Sequence, residues 1–313
     1  MNNKVSFAGR NLYDLDDYSP EEIEIIFQTA KVMKEINKRE YKKIPTLRGK
    51  TIASLFFEDS TRTRISFELA AQRLSADVVG FSAKGSSLSK GESLQDTVYT
   101  LNALGIDLYI IRHSCPGVPR LVHKYSQKPV INAGDGRHAH PTQALLDMFS
   151  IWEKKGSLKG LKIVIVGDIL HSRVVRSNLI GMVKMGANVT VCGPRTLMPP
   201  KIEEVYGAKC KYDFREAIED ADIVMCLRMQ LERQAEGLFP SLGEYAKQYG
   251  MSKKMLEYAK EDVLVMHPGP LNRGVEILPE VADSPHSIII EQVTNGVAIR
   301  MALLFLILSG KVL

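Results

Sequence analysis

The chain has 313 residues, of which 45% are hydrophobic and 25% are charged, an ordinary balance for a globular protein. Its 41 lysines and arginines exceed its 36 acidic residues by five, with no long block of like charge, so nucleic-acid binding is not indicated. The length predicts two domains, each large enough to form its own hydrophobic core.

The cysteines and the apolar segments indicate the cellular compartment of the protein. The four cysteines are scattered without a C-x-x-C pair, and Cys192 and Cys226 lie in apolar runs, which favours free thiols in a reducing cytoplasm. The N-terminal segment has no continuous apolar core before a cleavage site, so we expect no signal peptide. The apolar run 301–308 is too short to span a bilayer and favours a packed terminal helix. We therefore expect a cytoplasmic protein.

Helical and strand-like patterns alternate along the chain. An amphipathic helix is predicted over 18–37, with Ser19 at its cap, Pro20 in its first turn and two glutamates after it. Strands are predicted at 51–57, 77–81, 107–111, 129–131, 162–166, 188–192, 222–227 and 263–266. Helical patterns lie between most of them, which predicts an α/β fold of mostly parallel sheets flanked by helices.

Two long helices mark the domain organisation. The helix predicted over 140–156 has the helix-initiating Pro141 in its first turn and leads into a second series of strands and helices. The last helix, about 291–308, is apolar enough to pack across both halves of the chain. We place one domain at 1–140 together with 290–313 and the other at 141–289, with these two helices linking them.

Two segments resemble nucleotide-binding motifs without meeting their requirements. RGKT at 48–51 has isoleucine at position 44, where a P-loop requires glycine, and it precedes its strand instead of following it. VIVGDILHSR at 164–173 has one glycine where a dinucleotide fingerprint has three. We therefore expect neither ATP nor a nicotinamide cofactor.

Polar side chains follow the predicted strands at the ends where an open α/β sheet binds its ligands. The segments are Ser60-Thr61-Arg62-Thr63, Arg112-His113, His138 to Gln143, Gly167-Asp168 with Arg173, Arg228-Met229-Gln230 and His267-Pro268-Gly269-Pro270. Arginine appears after four of these six strands. The pattern predicts a cleft that binds anions.

The stretch EDSTRTRISFE, 58–68, places hydroxyl groups and arginines at the start of a predicted helix. Backbone N–H groups there are unpaired and carry partial positive charge, so added hydroxyls and a guanidinium would form a phosphate cradle. The alternative is that Ser60 is a simple cap and the arginines are solvated. Arg62 and Arg64 face different sides of the helix, and Arg64 has Glu68 four residues on, so we assign the phosphate to Arg62.

Three further side chains in the first half are candidates. Arg112 ends an apolar strand, where its guanidinium needs either an anionic ligand or a nearby carboxylate. His140 precedes Pro141 at a helix start, where neighbouring N–H groups would keep it neutral and able to donate to a carbonyl oxygen; plain capping is the alternative. Gln143 lies one helical turn after His140 and can share the same face of the helix. His138 and His140 could bind a metal, but no further ligand pattern supports one, so none is expected.

The second half offers Arg173 and Arg228, which follow predicted neighbouring strands. Each could pair with a surface acid, but two guanidinium groups at neighbouring strand ends favour a dicarboxylate clamp. The stretch AKGSSLSKGES, 83–93, is small, polar and cationic. It is typical either of a mobile linker or of a loop that carries serine and lysine to an anion.

Seven segments, taken in chain order, resemble the motifs of aspartate carbamoyltransferase catalytic chains, within the aspartate/ornithine carbamoyltransferase superfamily. They are FEDSTRTRISFE, SLSKGES, IRH, NAGDGRHAHPTQALLD, VGDILHSRVVRSN, LRMQLER and MHPGPLNR. The resemblance covers essentially the whole chain. STRTR and HPTQ are shared by carbamoyltransferases generally, whereas RMQLER and HPGPLNR are similar to the aspartate branch.

The resemblance implies two substrate sites. Carbamoyl phosphate would bind the first domain through Ser60, Thr61, Arg62, Thr63, Arg112, His140 and Gln143. The backbone around Gly269 and Pro270 would accept a hydrogen bond from its amide. Aspartate would lie between the domains, with its carboxylates held by Lys90, Arg173, Arg228 and Gln230. Family members are trimers with shared sites, so Ser87 and Lys90 would reach the site of a neighbouring subunit.

The implied reaction transfers the carbamoyl group to the amine of L-aspartate and gives N-carbamoyl-L-aspartate and phosphate, an early step of pyrimidine biosynthesis. The residues assigned to catalysis are Arg62, Thr63, Arg112 and His140. The last three would stabilise charge on the carbonyl oxygen, phosphate would leave into the cradle, and phosphate itself can take the amine proton. No cofactor, metal or covalent nucleophile is expected.

The chain departs from this pattern in two places. SLSKGE is shorter than the SLGKKGE form, which leaves the register of Ser86, Ser87 and Ser89 open, and Gly269 replaces a leucine. The nearest alternative is an ornithine carbamoyltransferase, whose HCLP cysteine is missing from HPGP. A noncatalytic anion-binding protein on the same scaffold is the alternative from another class. The sequence leaves open whether a regulatory chain or a dihydroorotase is a partner.

Overall fold

The computed structural model describes residues 5–82, 92–229 and 241–312. It divides into two compact units, Met1–Leu145 with Thr294–Leu313 and Leu146–Val293. Each boundary falls inside a helix, the first within Pro141–Lys155 and the second within Ile289–Ser309. The chain therefore passes between the units twice, each time through a helix.

The first unit is built on a four-stranded parallel sheet. In chain order its elements are α1 (Pro20–Lys38), β1 (Thr51–Phe56), α2 (Thr61–Arg73), β2 (Asp77–Ser82), α3 (Leu94–Ala103), β3 (Leu108–His113), α4 (Val118–Ser126), β4 (Val130–Asp135) and the start of α5 (Pro141–Lys155). The strand order is β2-β1-β3-β4. The chain winds from β1 to one edge and from β3 to the other, so the topological switch point lies between β1 and β3.

The second unit is built on a five-stranded parallel sheet. After α5 come β5 (Lys162–Val166), α6 (Arg173–Lys184), β6 (Asn188–Cys192), α7 (Ile202–Tyr206), β7 (Lys209–Lys211), α8 (Phe214–Ile218), β8 (Ile223–Cys226), α9 (Leu242–Tyr249), α10 (Lys253–Leu256), β9 (Leu264–Met266), α11 (Pro279–Ala282) and the start of α12 (Ile289–Ser309). The strand order is β7-β6-β5-β8-β9, so this switch point lies between β5 and β8.

The expected α/β fold of parallel sheets is confirmed, and β7 and β4 differ most from the predicted strands. Within the described residues, β7 was not predicted, because its sequence KCK is polar and short, as an edge strand can be. Strand β4 runs four residues beyond the predicted end, through Asn132 and Gly134 to Asp135. These polar residues stay in a buried strand because Asn132 Nδ2 donates to Asp135 Oδ1 at 2.8 Å and its Oδ1 accepts from the Gly134 N–H.

The start of α1 follows the expected capping chemistry. At α1, the Ser19 hydroxyl accepts from the N–H of Glu22, and Glu22 Oε2 accepts from the N–H of Ser19 at 2.9 Å, which completes a capping box. The predicted start at Ser19 and Pro20 is therefore confirmed.

Among the described residues, α12 is the one helix long and apolar enough to cross a membrane by length and composition. However, 72% of its most apolar window is buried inside the protein, as in the core helix of a soluble protein. In the first unit, its buried Arg300 donates to Ser66 Oγ at 2.7 Å and lies over the Phe67 ring. The helix thus supports the first turns of α2.

Glycines let the ends of β5 and β6 approach closely in the second unit. A Cβ at Gly193 would lie 2.5 Å from the carbonyl oxygen of Gly167, a distance that forces backbone movement. We expect Gly193→Ala to lower the free energy of unfolding by about 1–3 kcal/mol, measured by chemical denaturation. Gly243→Ala is the matched control, because its nearest new neighbour is 3.9 Å away; equal midpoints for the two variants would contradict the close approach.

Candidate active site

The switch point of the first sheet brings two predicted anion-binding segments together. Phe56 at the end of β1 is in register with Arg112 at the end of β3. The N–H of Phe57 donates to the carbonyl of Arg112 at 2.9 Å. Because α2 starts only a few residues after Phe57, the side chains of Ser60–Thr63 begin at the same edge of the sheet as Arg112.

The start of α2 lacks a conventional side-chain cap. Ser60 is the N-cap residue in an extended conformation, but its side chain makes no capping hydrogen bond, and the first turn carries no acidic residue. Thr61 and Arg62 are exposed, and Thr63 is buried. The simple-cap alternative for Ser60 is therefore not supported, and the predicted pairing of Arg64 with Glu68 is present at 3.8 Å.

Arg112 has the carboxylate neighbour that the sequence left as an alternative to a ligand. Its Nε lies 3.2 Å from Glu58 Oε2, and its Nη1 donates to the carbonyl of Ala133 at 3.4 Å. Its side chain is only 15% exposed. These contacts orient the guanidinium at the edge of the sheet, and Glu58 comes from the same segment that starts α2.

His140 and Gln143 lie at the start of α5. His140 is buried, and its carbonyl accepts from the N–H groups of Gln143 at 3.0 Å and Ala144 at 3.2 Å, so its backbone serves the helix start. Gln143 is also buried. Both residues belong to the first unit and follow β4 in the chain.

A buried carboxylate that the sequence did not single out organises the loop before α5. Asp135 Oδ1 accepts from the N–H of Ala139 at 3.1 Å, and its Oδ2 accepts from the N–H of Gly117 at 2.8 Å. His138 Nδ1 lies 3.1 Å from both oxygens, so this nitrogen of His138 faces Asp135. Burial alone would raise the pKa of Asp135, but the hydrogen bonds it accepts outweigh burial and hold the pKa below its usual 3.8.

Asp135→Asn tests this organising role through pH. A carboxylate with a lowered folded-state pKa contributes stability above its unfolded pKa and loses it as pH falls through the folded value. The new amide would also point an NH₂ group at existing donors, so we expect a cost of about 1.5–3 kcal/mol at pH 7. The stability gap between the variant and wild type should begin to close as pH falls below the usual aspartate pKa of 3.8.

Chemical denaturation from pH 7 to pH 3 measures that gap. Asp283→Asn is the control, since Asp283 is exposed and paired with Arg273 at the surface. A cost for Asp135→Asn that stays constant down to pH 3 would contradict the carboxylate's role.

The switch point of the second sheet carries Arg173 and Arg228. Arg173 is the first residue of α6 and is 3% exposed, and the preceding Ser172 hydroxyl accepts from the N–H of Val175. The loop from β5 into α6 is fixed by Asp168, whose Oδ1 lies 2.8 Å from His171 Nδ1. Arg228 follows β8 and is half-buried. Because β5 and β8 are hydrogen-bonded neighbours, the two arginines leave adjacent strand ends, as predicted.

A second buried carboxylate that the sequence did not single out connects the segments after β8 and β9. Glu276 Oε1 accepts from the N–H of Met229 at 2.9 Å and from Asn272 Nδ2 at 2.8 Å, and its Oε2 accepts from the N–H of Asn272. Burial raises the pKa of Glu276 although these bonds act to lower it. A charged residue inside the run GVEILP was the signal available in the sequence.

The turn that holds Gly269 and Pro270 follows β9. The N–H of Gly269 donates to His267 Nδ1 at 2.8 Å, and the peptide bond before Pro270 is cis. Gly269 has a φ of +68°, a conformation that glycine adopts without the penalty that other residues incur. The remaining predicted site residues, Ser86, Ser87, Ser89, Lys90 and Gln230, lie outside the described residues.

Each of the two units therefore has a parallel sheet with arginines at its switch point. Residues 10–153 match the family described as aspartate/ornithine carbamoyltransferase, carbamoyl-P binding domain, and 159–307 match its Asp/Orn binding domain. The chain belongs to the aspartate/ornithine carbamoyltransferase family.

The chain is similar to aspartate carbamoyltransferase catalytic subunits at high sequence identity. The chain is 56% identical over 301 residues to the aspartate carbamoyltransferase catalytic subunit of Syntrophomonas wolfei, covering 96% of each chain. It is 57% identical over 302 residues to that of Desulforamulus reducens, again covering 96% of each.

Solved structures of both branches share the fold. Ornithine carbamoyltransferase from Pyrococcus furiosus superposes with a TM-score of 0.87 at 34% identity, covering 98% of this chain and 99% of that one. Aspartate transcarbamoylase from Trypanosoma cruzi, in complex with N-(phosphonacetyl)-L-aspartic acid, also gives 0.87, at 30% identity, covering 96% and 97%.

Proposed function

We propose that this protein is an aspartate carbamoyltransferase, which transfers the carbamoyl group of carbamoyl phosphate to L-aspartate. The observation that carries the proposal is the placement of cationic side chains at both topological switch points. In the first unit Arg62 lies in the helix after β1 and Arg112 lies at the end of β3. In the second unit Arg173 starts the helix after β5 and Arg228 follows β8. Carbamoyl phosphate and aspartate are both anionic, and guanidinium groups match phosphate and carboxylate geometry.

The choice of aspartate over ornithine does not rest on the fold, because one solved structure of each branch gives the same TM-score of 0.87. It rests on the site and on the relatives. Arg173 and Arg228 suit a second carboxylate and would repel the ammonium group of an ornithine side chain. The catalytic subunits of S. wolfei and D. reducens, at 56% and 57% identity, are named for aspartate.

The proposed chemistry needs positioning and charge stabilisation. The aspartate amine attacks the carbamoyl carbon, and negative charge grows on the carbonyl oxygen. Thr63, Arg112 and His140 donate to that oxygen, and electrostatic stabilisation of this kind is commonly the largest contribution to a rate. The C–O bond to phosphate then breaks as the carbonyl re-forms, and phosphate takes the proton that the amine loses. The phosphate leaves toward the backbone and side chains of Ser60, Thr61 and Arg62.

The two units divide this work in the proposal. The first unit would bind carbamoyl phosphate, with Gln143 among its contacts. The second unit would supply Arg173, Arg228 and Gln230 to bind aspartate. The backbone around Gly269 and Pro270 would accept a hydrogen bond from the carbamoyl amide.

We also propose a cytoplasmic homotrimer in pyrimidine biosynthesis, in which Ser87 and Lys90 serve a neighbouring subunit's site. Native mass measurement would show whether a regulatory chain or a dihydroorotase binds it.

Turnover of the purified protein tests the function. With carbamoyl phosphate and aspartate it should form carbamoylaspartate and phosphate, and chelator treatment should leave the rate unchanged. Equal or faster turnover of ornithine would reject the substrate assignment. Anion binding without turnover of either amine would favour a noncatalytic protein on this scaffold.

Subunit mixing tests the shared site. Arg62→Ala and Lys90→Ala chains should each be inactive alone, and mixing them should restore activity, because a hybrid trimer regains an intact site. Mass-labelled chains establish exchange in the same sample. Proven exchange without any recovered activity would show that each site uses residues of one subunit only.

A further inference from the structure

A series of buried polar side chains crosses the second unit from α5 to the turn after β9. Asp147 on α5 is fully buried; its Oδ1 accepts from Gln292 Nε2 at 2.8 Å and its Oδ2 from Asn178 Nδ2 at 2.9 Å. Gln292 is also buried, and its Oε1 accepts from the N–H of His267 at 3.0 Å. His267 Nδ1 accepts in turn from the N–H of Gly269 at 2.8 Å.

The hydrogen-bond polarity of this series is set at Asp147. Both of its oxygens accept, so the amides of Gln292 and Asn178 must both turn their NH₂ groups toward it. This orientation leaves Gln292 Oε1 facing the N–H of His267. At His267, an accepting Nδ1 places the ring proton on Nε2. Asp147 therefore determines which atoms the two amides present, and the N–H of Gly269 determines the tautomer of His267.

We propose that Asp147 is a positioning residue for the transfer reaction: through Gln292 and His267 it fixes the turn at Gly269 and Pro270. The inference rests on the proposed function, in which that turn accepts from the carbamoyl amide. Glu276 holds the next part of the segment through its bonds to Asn272. The turn is thus held on one side by Asp147 and on the other by Glu276.

The displacement of such a turn should affect the reaction rate more than substrate binding. A misplacement of about 1 Å at a reacting group can cost on the order of a hundredfold in rate, since the alignment counts only in the reactive complex. Loss of an interaction made only in the transition state lowers kcat and leaves KM unchanged. A lowered kcat with an unchanged KM therefore distinguishes a positioning role from a purely structural one.

Two isosteric single variants disturb the polarity. Asp147→Asn introduces one NH₂ group that faces the NH₂ of Asn178 or of Gln292. If Gln292 turns over in response, it presents Nε2 to the N–H of His267. Gln292→Glu instead places a carboxylate against Asp147. For each we expect kcat to fall by about ten- to a hundredfold, with KM for aspartate within about threefold of wild type.

The double variant Asp147→Asn/Gln292→Glu exchanges the carboxylate and the amide between the two positions. Every hydrogen bond of the series can then form again. The new amide at 147 accepts from Asn178 through its oxygen and donates through its NH₂ to the new carboxylate at 292. That carboxylate still accepts from the N–H of His267. We expect kcat to return to within about threefold of wild type, as coupled residues show in double-mutant cycles.

Steady-state kinetics on the full chain decide the inference. Gln248→Glu, an exposed amide on α9, is the control and should keep wild-type kcat. A folded single variant with wild-type kcat, or a double variant no faster than the singles, overturns the positioning role. If a single variant does not fold, the double variant against wild type gives the result: recovered kcat supports the series, and lost kcat in a folded protein rejects it.

The wild-type assay separates this inference from the proposed function. Absence of carbamoylaspartate formation by wild type would reject the function whatever the variants do. Histidine ¹⁵N chemical shifts then test the series without turnover, because wild type and the double variant should both carry the His267 proton on Nε2. A proton on Nδ1 in wild type would reject the series itself.

Discussion

Arg112→Ala should lower kcat by about a hundred- to a thousandfold, the usual cost of removing a donor to a developing oxyanion. Arg112 ends β3 beside the start of α2, and its guanidinium is oriented by Glu58 and the carbonyl of Ala133. The loss should appear in kcat, because the carbonyl oxygen carries its full negative charge only in the transition state. Steady-state kinetics at saturating aspartate and carbamoyl phosphate measure it.

Two controls isolate this effect. Arg64→Ala removes an arginine from the same motif whose partner is Glu68, an exposed pair of the kind that contributes little, so its kcat should stay within about twofold of wild type. Arg112→Ala also leaves the Glu58 carboxylate without this neighbour, so Arg112→Ala/Glu58→Gln removes that charge as well. Full recovery of kcat in the double variant would show that Arg112 serves only to neutralise Glu58.

Arg228→Ala should lower kcat/KM for aspartate by about thirtyfold to several thousandfold, which corresponds to the 2–5 kcal/mol typical of truncating a buried charge pair. Arg228 leaves the switch point of the second sheet, and the adjacent Met229 is held by Glu276. The effect should fall mainly on KM for aspartate, because the guanidinium binds a carboxylate in the ground state as well.

Arg195→Ala is the matched control in the same unit. Arg195 lies over the Tyr212 ring at 4.3 Å and should be dispensable for turnover. Arg228→Lys retains the charge but cannot form two parallel bonds, so it should recover only part of the activity. Unchanged KM for aspartate in Arg228→Ala would remove Arg228 from the aspartate site.

The sheets and the arginines were predictable because their signals are local. The strands Lys162–Val166 and Asn188–Cys192 have the predicted bounds, since each is a short apolar run with a β-branched majority. Parallel strands present their carboxyl ends at one edge, so polar residues after successive strands had to meet there. That rule predicted Arg112 near the start of α2 and Arg173 near Arg228, and the observed pairing of β1 with β3 and of β5 with β8 is consistent with both.

The buried carboxylates were not predictable because their partners are distant in the sequence. Asp147 and Gln292 are 145 positions apart, and Glu276 and Met229 are 47 apart. No periodicity or spacing reports which buried polar groups will satisfy one another. Asp135 was missed for another reason: NAGD has the composition of a turn, and only its internal hydrogen bonds keep it in a strand.

A crystal structure of this protein with N-(phosphonacetyl)-L-aspartic acid tests the central claim most directly, since that compound joins a phosphonate to an aspartate. The account predicts the phosphonate against Ser60–Thr63 and Arg112, and the two carboxylates against Arg173 and Arg228. A compound bound elsewhere, or with its carboxylates away from both Arg173 and Arg228, would contradict it.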